Sequence, residues 1–227
     1  MPDFTLSFNL QAPLQSWGVQ SQFGHRETTK EPTKSGVIGL LAAALGRERH
    51  ESIADLATLQ MAVRVEQEGS VLRDFHTAGI DGFLRASGAV ERKNPIVSNR
   101  FYLVDAAFKV ALQHADHSFL CQLEKALRKP IFPLYLGRKS CVPIHLQKEL
   151  KVVERAALAL LQDYDAKMGK RIVADRGLAS DAYWNSQNAL FRTAPDAPIS
   201  FRPRRFGLRE TCLFYIQSQT PNDHVPH

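Results

Sequence analysis

Cysteine is scarce in this chain: three among 227 residues, Cys121, Cys141 and Cys212, far apart and with no C-x-x-C pair. Neither a disulfide framework nor a structural zinc site is therefore expected, and reduced cytosolic thiols fit the pattern. Long apolar runs are missing too. The longest small-and-apolar stretch, Val37 to Gly46, falls short of the ~20 residues that a spanning helix needs, so no membrane association is expected. The Met-Pro-Asp start is not followed by a basic and then an apolar segment, so no secretory signal is expected and the reading is a cytoplasmic chain. Glycine is lacking where a phosphate loop would need it. Neither Thr33-Lys34-Ser35 nor Lys139-Ser140 is preceded by the Gly-x-x-x-x-Gly of a nucleotide P-loop, which argues against an ATPase. No H-E-x-x-H motif is present, and no metal or other cofactor is expected.

What is present is apolar material for a sizeable core, at 44% of residues, and a net charge of +6. A basic balance favours acidic partners, of which nucleic acid is the commonest.

Along the chain, Phe4, Leu6, Phe8 and Leu10 alternate with polar residues and predict a half-buried strand. Gln11 to Lys34 is long and irregular, with Trp17, His25, Arg26 and Lys34 in it. A loop of that length in a compact domain is functional or disordered, and its aromatic and basic content favours function. Ser35 is positioned to cap a helix carrying Val37, Ile38, Leu40, Leu41 and Leu45, with Gly46 as its stop. A second helical piece covers Ser52 to Leu59, and Met61–Gln67 and Val71–Thr77 read as strands. Ala78–Arg100 holds three glycines and the cations Arg85, Arg92, Lys93 and Arg100. It reads as a protruding basic hairpin arm, with a surface loop as the alternative. Phe101–Gln113 reads as one strand and His117–Arg128 as an amphipathic helix. A basic glycine loop follows at Leu134–Cys141. Lys151–Gln162 has helical spacing, and Ile172–Ala174, Ile199–Phe201 and Thr211–Ile216 read as strands. Without the arm, the order to about residue 150 is the split β-α-β pattern. The expected class is α+β: a ferredoxin-like (RRM-like) domain over 1–145 with the arm at 78–100, and a β-rich C-terminal extension over 146–227.

Four blocks carry a family resemblance. They are Leu10-Gln-Ala-Pro-Leu-Gln-Ser-Trp-Gly18; Arg26-Glu-Thr with Pro32-Thr-Lys-Ser-Gly-Val-Ile-Gly-Leu-Leu41; Leu72-Arg-Asp-Phe-His-Thr77; and Pro133-Leu-Tyr-Leu-Gly-Arg-Lys-Ser-Cys141. In this order, over about residues 4 to 143, they resemble the CasD family of type I-E Cascade subunits. Cascade is the CRISPR RNA-guided surveillance complex, and the wider group is the repeat-associated RNA-binding superfamily. The resemblance implies a non-catalytic subunit, one per complex, that holds the 5′ handle of the CRISPR RNA. It implies contacts with the backbone subunit and the large subunit, with target DNA met only through the complex. The arm, with Arg85, Arg92, Lys93 and Arg100, would match the family's thumb.

Each block offers RNA a different contact. Trp17 is a candidate for base stacking and Gln15 for a base edge, with a core role as the alternative for Trp17. Thr33, Lys34, Ser35 and Gly36 lie at a helix start, where free N–H groups attract phosphate. Gly137, Arg138, Lys139 and Ser140 set two cations beside a glycine that lets the backbone come close. Arg26 and Arg73 are further phosphate candidates, and His76 joins the set. Arg202, Arg204, Arg205 and Arg209 form the densest basic run, open to RNA, protein or solvent. Two rivals remain. A metal-independent endoribonuclease would use His76 or His25 as acid or base. A protein adaptor would have no RNA affinity.

Overall fold

The computed structural model describes residues 3–19, 24–79, 81–85, 87–92, 95–163 and 170–216. In chain order the elements are β1 (Phe4–Gln11), β2 (Leu14–Gln15), β3 (His25–Arg26), α1 (Lys34–Ala44), α2 (Ala54–Ala57), β4 (Gln60–Gln67) and β5 (Ser70–Ala78). Then come β6 (Phe83–Leu84), β7 (Val90–Glu91), β8 (Ile96–Val104), β9 (Ala107–His114), α3 (His117–Arg128) and β10 (Lys151–Glu154). The chain closes with α4 (Ala157–Leu161), β11 (Arg171–Asp175), α5 (Asp181–Ser186), β12 (Leu190–Phe201) and β13 (Arg204–Tyr215).

The result is a mixed α+β fold dominated by one seven-stranded sheet in the order β10-β1-β9-β4-β11-β13-β12. Every neighbouring pair in it is antiparallel. Strands from both sides of the expected 145/146 boundary share this sheet. β10 closes one edge against β1, and β11 pairs with β4 on the other side.

Both faces of the sheet are covered. On one, Leu6, Phe8, Leu10, Val63, Phe108, Val110 and Leu112 belong to the core with Val37, Ile38 and Leu41 of α1 and Leu120, Leu123 and Leu127 of α3. On the other, Ala62, Ala111, Ile172, Cys212 and Phe214 cluster with Leu158 and Leu161 of α4 and Trp184 of α5. β1 is consequently not half-buried as its alternation predicts. Thr5 and Ser7 are both 0% exposed, because the chain after residue 145 folds back over them and Thr5 Oγ1 donates to the Arg155 carbonyl at 2.6 Å.

Three local expectations are corrected. The cap of α1 is Thr33 rather than Ser35. Thr33 is extended, and its Oγ1 accepts from the Gly36 N–H at 3.2 Å. The single strand expected over Phe101–Gln113 is two strands, broken where Asp105 takes φ +56°. Tyr102 and Leu103 therefore serve one sheet while Phe108, Val110 and Leu112 serve another. The helical spacing over Lys151–Gln162 splits as well: residues 151–154 pair with β1 from Phe4↔Glu154 to Ser7↔Lys151, and only Ala157–Leu161 is helical. An open sheet edge supplies backbone partners that helical spacing cannot anticipate. Gly46 does end α1, at φ +75°, the left-handed conformation that glycine adopts without penalty.

β8 runs antiparallel to β5 from Ser70↔Val104 to Ala78↔Ile96, forming a long hairpin, and also pairs with β2 and β3. The short β6–β7 pair lies at its far end. Among the described residues, no helix is long and apolar enough to cross a membrane.

Candidate nucleic-acid interface

The loop after β1, the start of α1 and the glycine loop meet at one place. The Ser16 N–H donates to the Leu136 carbonyl at 3.1 Å, and the Thr29 N–H to the Trp17 carbonyl at 2.8 Å. Gly137 takes φ +88°, and a Cβ built on it would sit 1.6 Å from the Ser16 carbonyl oxygen. No other residue allows the two backbones to approach so closely. The glycine loop closes on itself, with Leu136 N–H donating to Cys141 O at 2.7 Å and Cys141 N–H to Arg138 O at 2.8 Å. Cys141 is buried beneath it, and burial pushes its thiol above the usual value.

Arg138 links two of the blocks to β8. Its guanidinium lies over the Tyr102 ring, 4.5 Å from the centroid, and its Nη2 donates to the Arg26 carbonyl at 2.9 Å. Its Nη1 is buried, with no acceptor among the described residues. Around it opens a cleft of ≈ 830 Å³. Residues 16–19 and 25–27, Thr33, Ser35, Gly36, Gly137 and Arg138 line one side, and Phe201, Arg204 and Phe206 from the β12–β13 hairpin line the other. Its lining carries three arginines against one glutamate, Glu27. Residues separated by more than a hundred positions thus present cations and aromatic rings to one volume.

Several candidates from the sequence are turned inward. Trp17 is 1% exposed and Gln15 0%. Gln15 Nε2 donates to the Ala106 carbonyl at 2.6 Å and its Oε1 accepts from Trp17 Nε1 at 3.1 Å. The indole packs so tightly on α1 that a Cβ at Gly36 would lie 2.8 Å from it. Trp17 belongs to the cleft lining and Gln15 lies behind it, and neither stacking nor base-edge contact is open to them.

Lys34 is also withdrawn. Its Nζ pairs with Asp175 at 2.9 Å, and its N–H donates to Asp196 at 2.7 Å. A carboxylate of the chain itself therefore sits where a phosphate was expected. Arg209 leaves the basic run for the same cluster, reaching Asp196 with Nε and Nη2 and Asp175 with Nη1. Arg202, Arg204 and Arg205 stay exposed at the hairpin turn.

Other candidates are exposed, or half-buried in the case of His76 and Arg100, and lie apart from the cleft lining. Lys139 and Ser140 are on the outer side of the glycine loop. Arg73 and His76 are on β5, with Arg73 Nε donating to Asn99 at 3.0 Å and His76 Nδ1 3.9 Å from Asp74. Arg100 Nε donates to Ser98 at 3.2 Å. At the hairpin end Arg85 pairs with Glu91, Arg92 is exposed, and Lys93 lies outside the described residues. His25, named for the ribonuclease reading, lines the cleft with Nε2 3.2 Å from Glu27.

Sequence reasoning passed over Phe201 and Phe206 as site residues. Their one signal was position, flanking the basic run at Arg202–Arg205.

The architecture and the cleft define a class: a sheet-dominated α+β chain whose loops and last hairpin build a basic, aromatic-edged groove. Comparison with known proteins is specific. The chain belongs to the family described as CRISPR-associated protein (Cas_Cas5), whose model matches residues 5–212. The CRISPR system Cascade subunit CasD of Escherichia coli (strain K12) is 32% identical over 221 residues, covering 90% of this chain and 93% of that protein. Among solved structures, a chain of a CRISPR RNA-guided surveillance complex matches with TM-score 0.76 at 29% identity, covering 93% of this chain and 90% of that one. A crystal structure of a Cas protein matches with TM-score 0.68 at 36% identity, covering 94% of this chain and 95% of that one. The similarity extends through the C-terminal strands, beyond the four blocks that first suggested it.

Proposed function

We propose that the chain is the CRISPR RNA-binding subunit of a type I-E Cascade, acting in the cytoplasm in antiviral defence, and that it holds the 5′ handle of the guide RNA without cutting it. The observation that carries this reading is the cleft, in which Arg26, Arg138 and Arg204 meet Phe201 and Phe206. Unpaired RNA is held by cations on its phosphates and by aromatic faces beneath splayed bases. The cleft offers both. The similar CasD is described as a Cascade subunit, a name that speaks for assembly. The order β10-β1-β9-β4, with α1 and α3 on one face, supports reading the core as ferredoxin-like. The β5–β8 hairpin then serves as the arm toward the backbone subunit, with the large subunit as a second neighbour. Target sequence is left to base pairing, and target DNA is met only through the complex.

The test is incubation of the full chain with labelled repeat RNA in EDTA, resolved on native and denaturing gels. The expected result is shifted, intact RNA, weakened in Arg26→Ala, Arg204→Ala and the double variant Arg138→Ala with Lys139→Ala. Discrete shortened RNA, lost in His25→Ala or His76→Ala, would instead make this an endoribonuclease. No shift, even with the neighbouring subunits present, leaves a protein adaptor.

A further inference from the structure

We infer that Asp196 is a positioning residue for the RNA cleft: it fixes the β12–β13 hairpin to the start of α1 and so sets where Phe201, Arg204 and Phe206 meet RNA. This rests on the RNA-binding reading above.

The hairpin needs such an anchor because it overhangs the sheet. β11 pairs with β13 only from Thr211 to Tyr215, and β12 is the outermost strand. Between Ala194 and Arg209 each strand of the hairpin has, among the described residues, only the other as a ladder partner. The register jumps twice within that stretch, from Ala194↔Arg209 to Ala197↔Gly207 and from Pro198↔Phe206 to Ser200↔Arg205, and β12 carries one extra residue at each jump, the first of them beside Asp196. A bulge of this kind re-aims a side chain. Here Asp196 is 3% exposed, between the half-buried Pro195 and Ala197, on a strand whose first four residues are exposed.

The carboxylate is fully used. Oδ1 accepts from Arg209 Nε at 2.8 Å, and Oδ2 accepts from Arg209 Nη2 at 2.8 Å and from the Lys34 N–H at 2.7 Å. The Lys34 N–H is the first of the helix and has no acceptor within it. Thr33 does not serve it, since its hydroxyl takes the Gly36 N–H. Asp175 completes the clamp, taking Arg209 Nη1, Lys34 Nζ at 2.9 Å and the Met61 N–H at 2.9 Å. Two cations and two carboxylates therefore close on one another. Asp196 is absent from the cleft lining, so its charge does not face the phosphates. Its effect on RNA passes through the hairpin that begins the cleft's far wall five residues later.

The experiment compares full-length wild type, Asp196→Ala, Arg204→Ala and the double variant for repeat-RNA affinity across a salt series, with melting curves to establish that each is folded at the assay temperature. Arg204→Ala should flatten the salt slope by about 0.7, the loss of one phosphate contact on single-stranded RNA. Asp196→Ala should flatten it by the same amount and weaken binding about tenfold, and the double variant should be no weaker than either, because residues acting through one contact are not additive. Asp196→Glu, which keeps the charge, should restore part of the affinity. A folded Asp196→Ala with wild-type slope, or a double variant showing the sum of both losses, would overturn the assignment. If Asp196→Ala does not fold, Asp196→Asn carries the same comparison, since its carbonyl retains an acceptor for the Lys34 N–H. The two readings fail differently. Wild type that binds no RNA removes both, whereas RNA binding sensitive to Arg26→Ala but indifferent to Asp196 removes only the positioning role.

Discussion

A glycine and a lysine decide most at the residue scale. Gly137 allows the glycine loop to lie against the Ser16 carbonyl, and its φ of +88° lies in the left-handed region. Gly137→Ala should lower stability by about 3 kcal/mol, read from the urea midpoint, through overlap and strain together. A midpoint unchanged from wild type would mean that the loops part without penalty. Lys34 looks like a phosphate ligand but stands 9% exposed in an ion pair. Lys34→Met should therefore destabilise the fold by about 3 kcal/mol, as loss of one member of a buried charge cluster does, and leave the RNA salt slope unchanged. A stable variant with a flatter slope would return Lys34 to the RNA. Acid sensitivity has a named contributor in Asp55, whose carboxyl is held below the usual carboxylate range by hydrogen bonds from Arg47. A depressed folded-state pKa adds stability above the unfolded value and loses it as pH falls through the folded one. Asp55→Asn should thus lose stability near pH 7 and converge with wild type in acid, where the native carboxyl is protonated. A constant gap at all pH would exclude the ion pair as its source.

The β5–β8 hairpin is the element that stands apart. Its ladder is continuous from Ser70 to Ala78, yet Val71, Phe75 and Val97 are 57%, 63% and 45% exposed. Apolar side chains left open on a two-sided strand pair mark a surface that gains by being covered. Deleting Gly82–Pro95 removes the β6–β7 end and none of the seven-stranded sheet. Cooperative unfolding should persist near the wild-type midpoint while assembly with the backbone subunit fails, as read by co-purification. Complexes that form in full without that segment would reject the arm reading.

At the scale of the whole molecule, the C-terminal third is part of the core. β10 covers the β1 edge, β11 covers the β4 edge, and Asp175 and Asp196 neutralise Lys34 and Arg209. A fragment ending at residue 145 loses all of these. It should show no cooperative thermal transition and no near-ultraviolet signature of fixed aromatic packing. A two-state melt from that fragment would mean that β1, α1, β4, β9 and α3 are self-sufficient.

The sequence alone determined what neighbours along the chain control. Periodicity located β1, β4, β5, α1, α3 and the strand at Ile172–Ala174, because alternation and helical spacing are local consequences of burying one face. Motif order suggested the family, and Gly46 and the glycine loop were legible because positive φ restricts residue choice. Which cations line the cleft was decided only by the tertiary structure. Lys34 and Arg138 carry equally plausible local contexts. Lys34 meets an aspartate 141 positions away and is neutralised, whereas Arg138 meets a carbonyl 112 positions away and lines the cleft. Burial and charge pairing are properties of partners brought together by the sheet, and no window of sequence contains both members of such a pair.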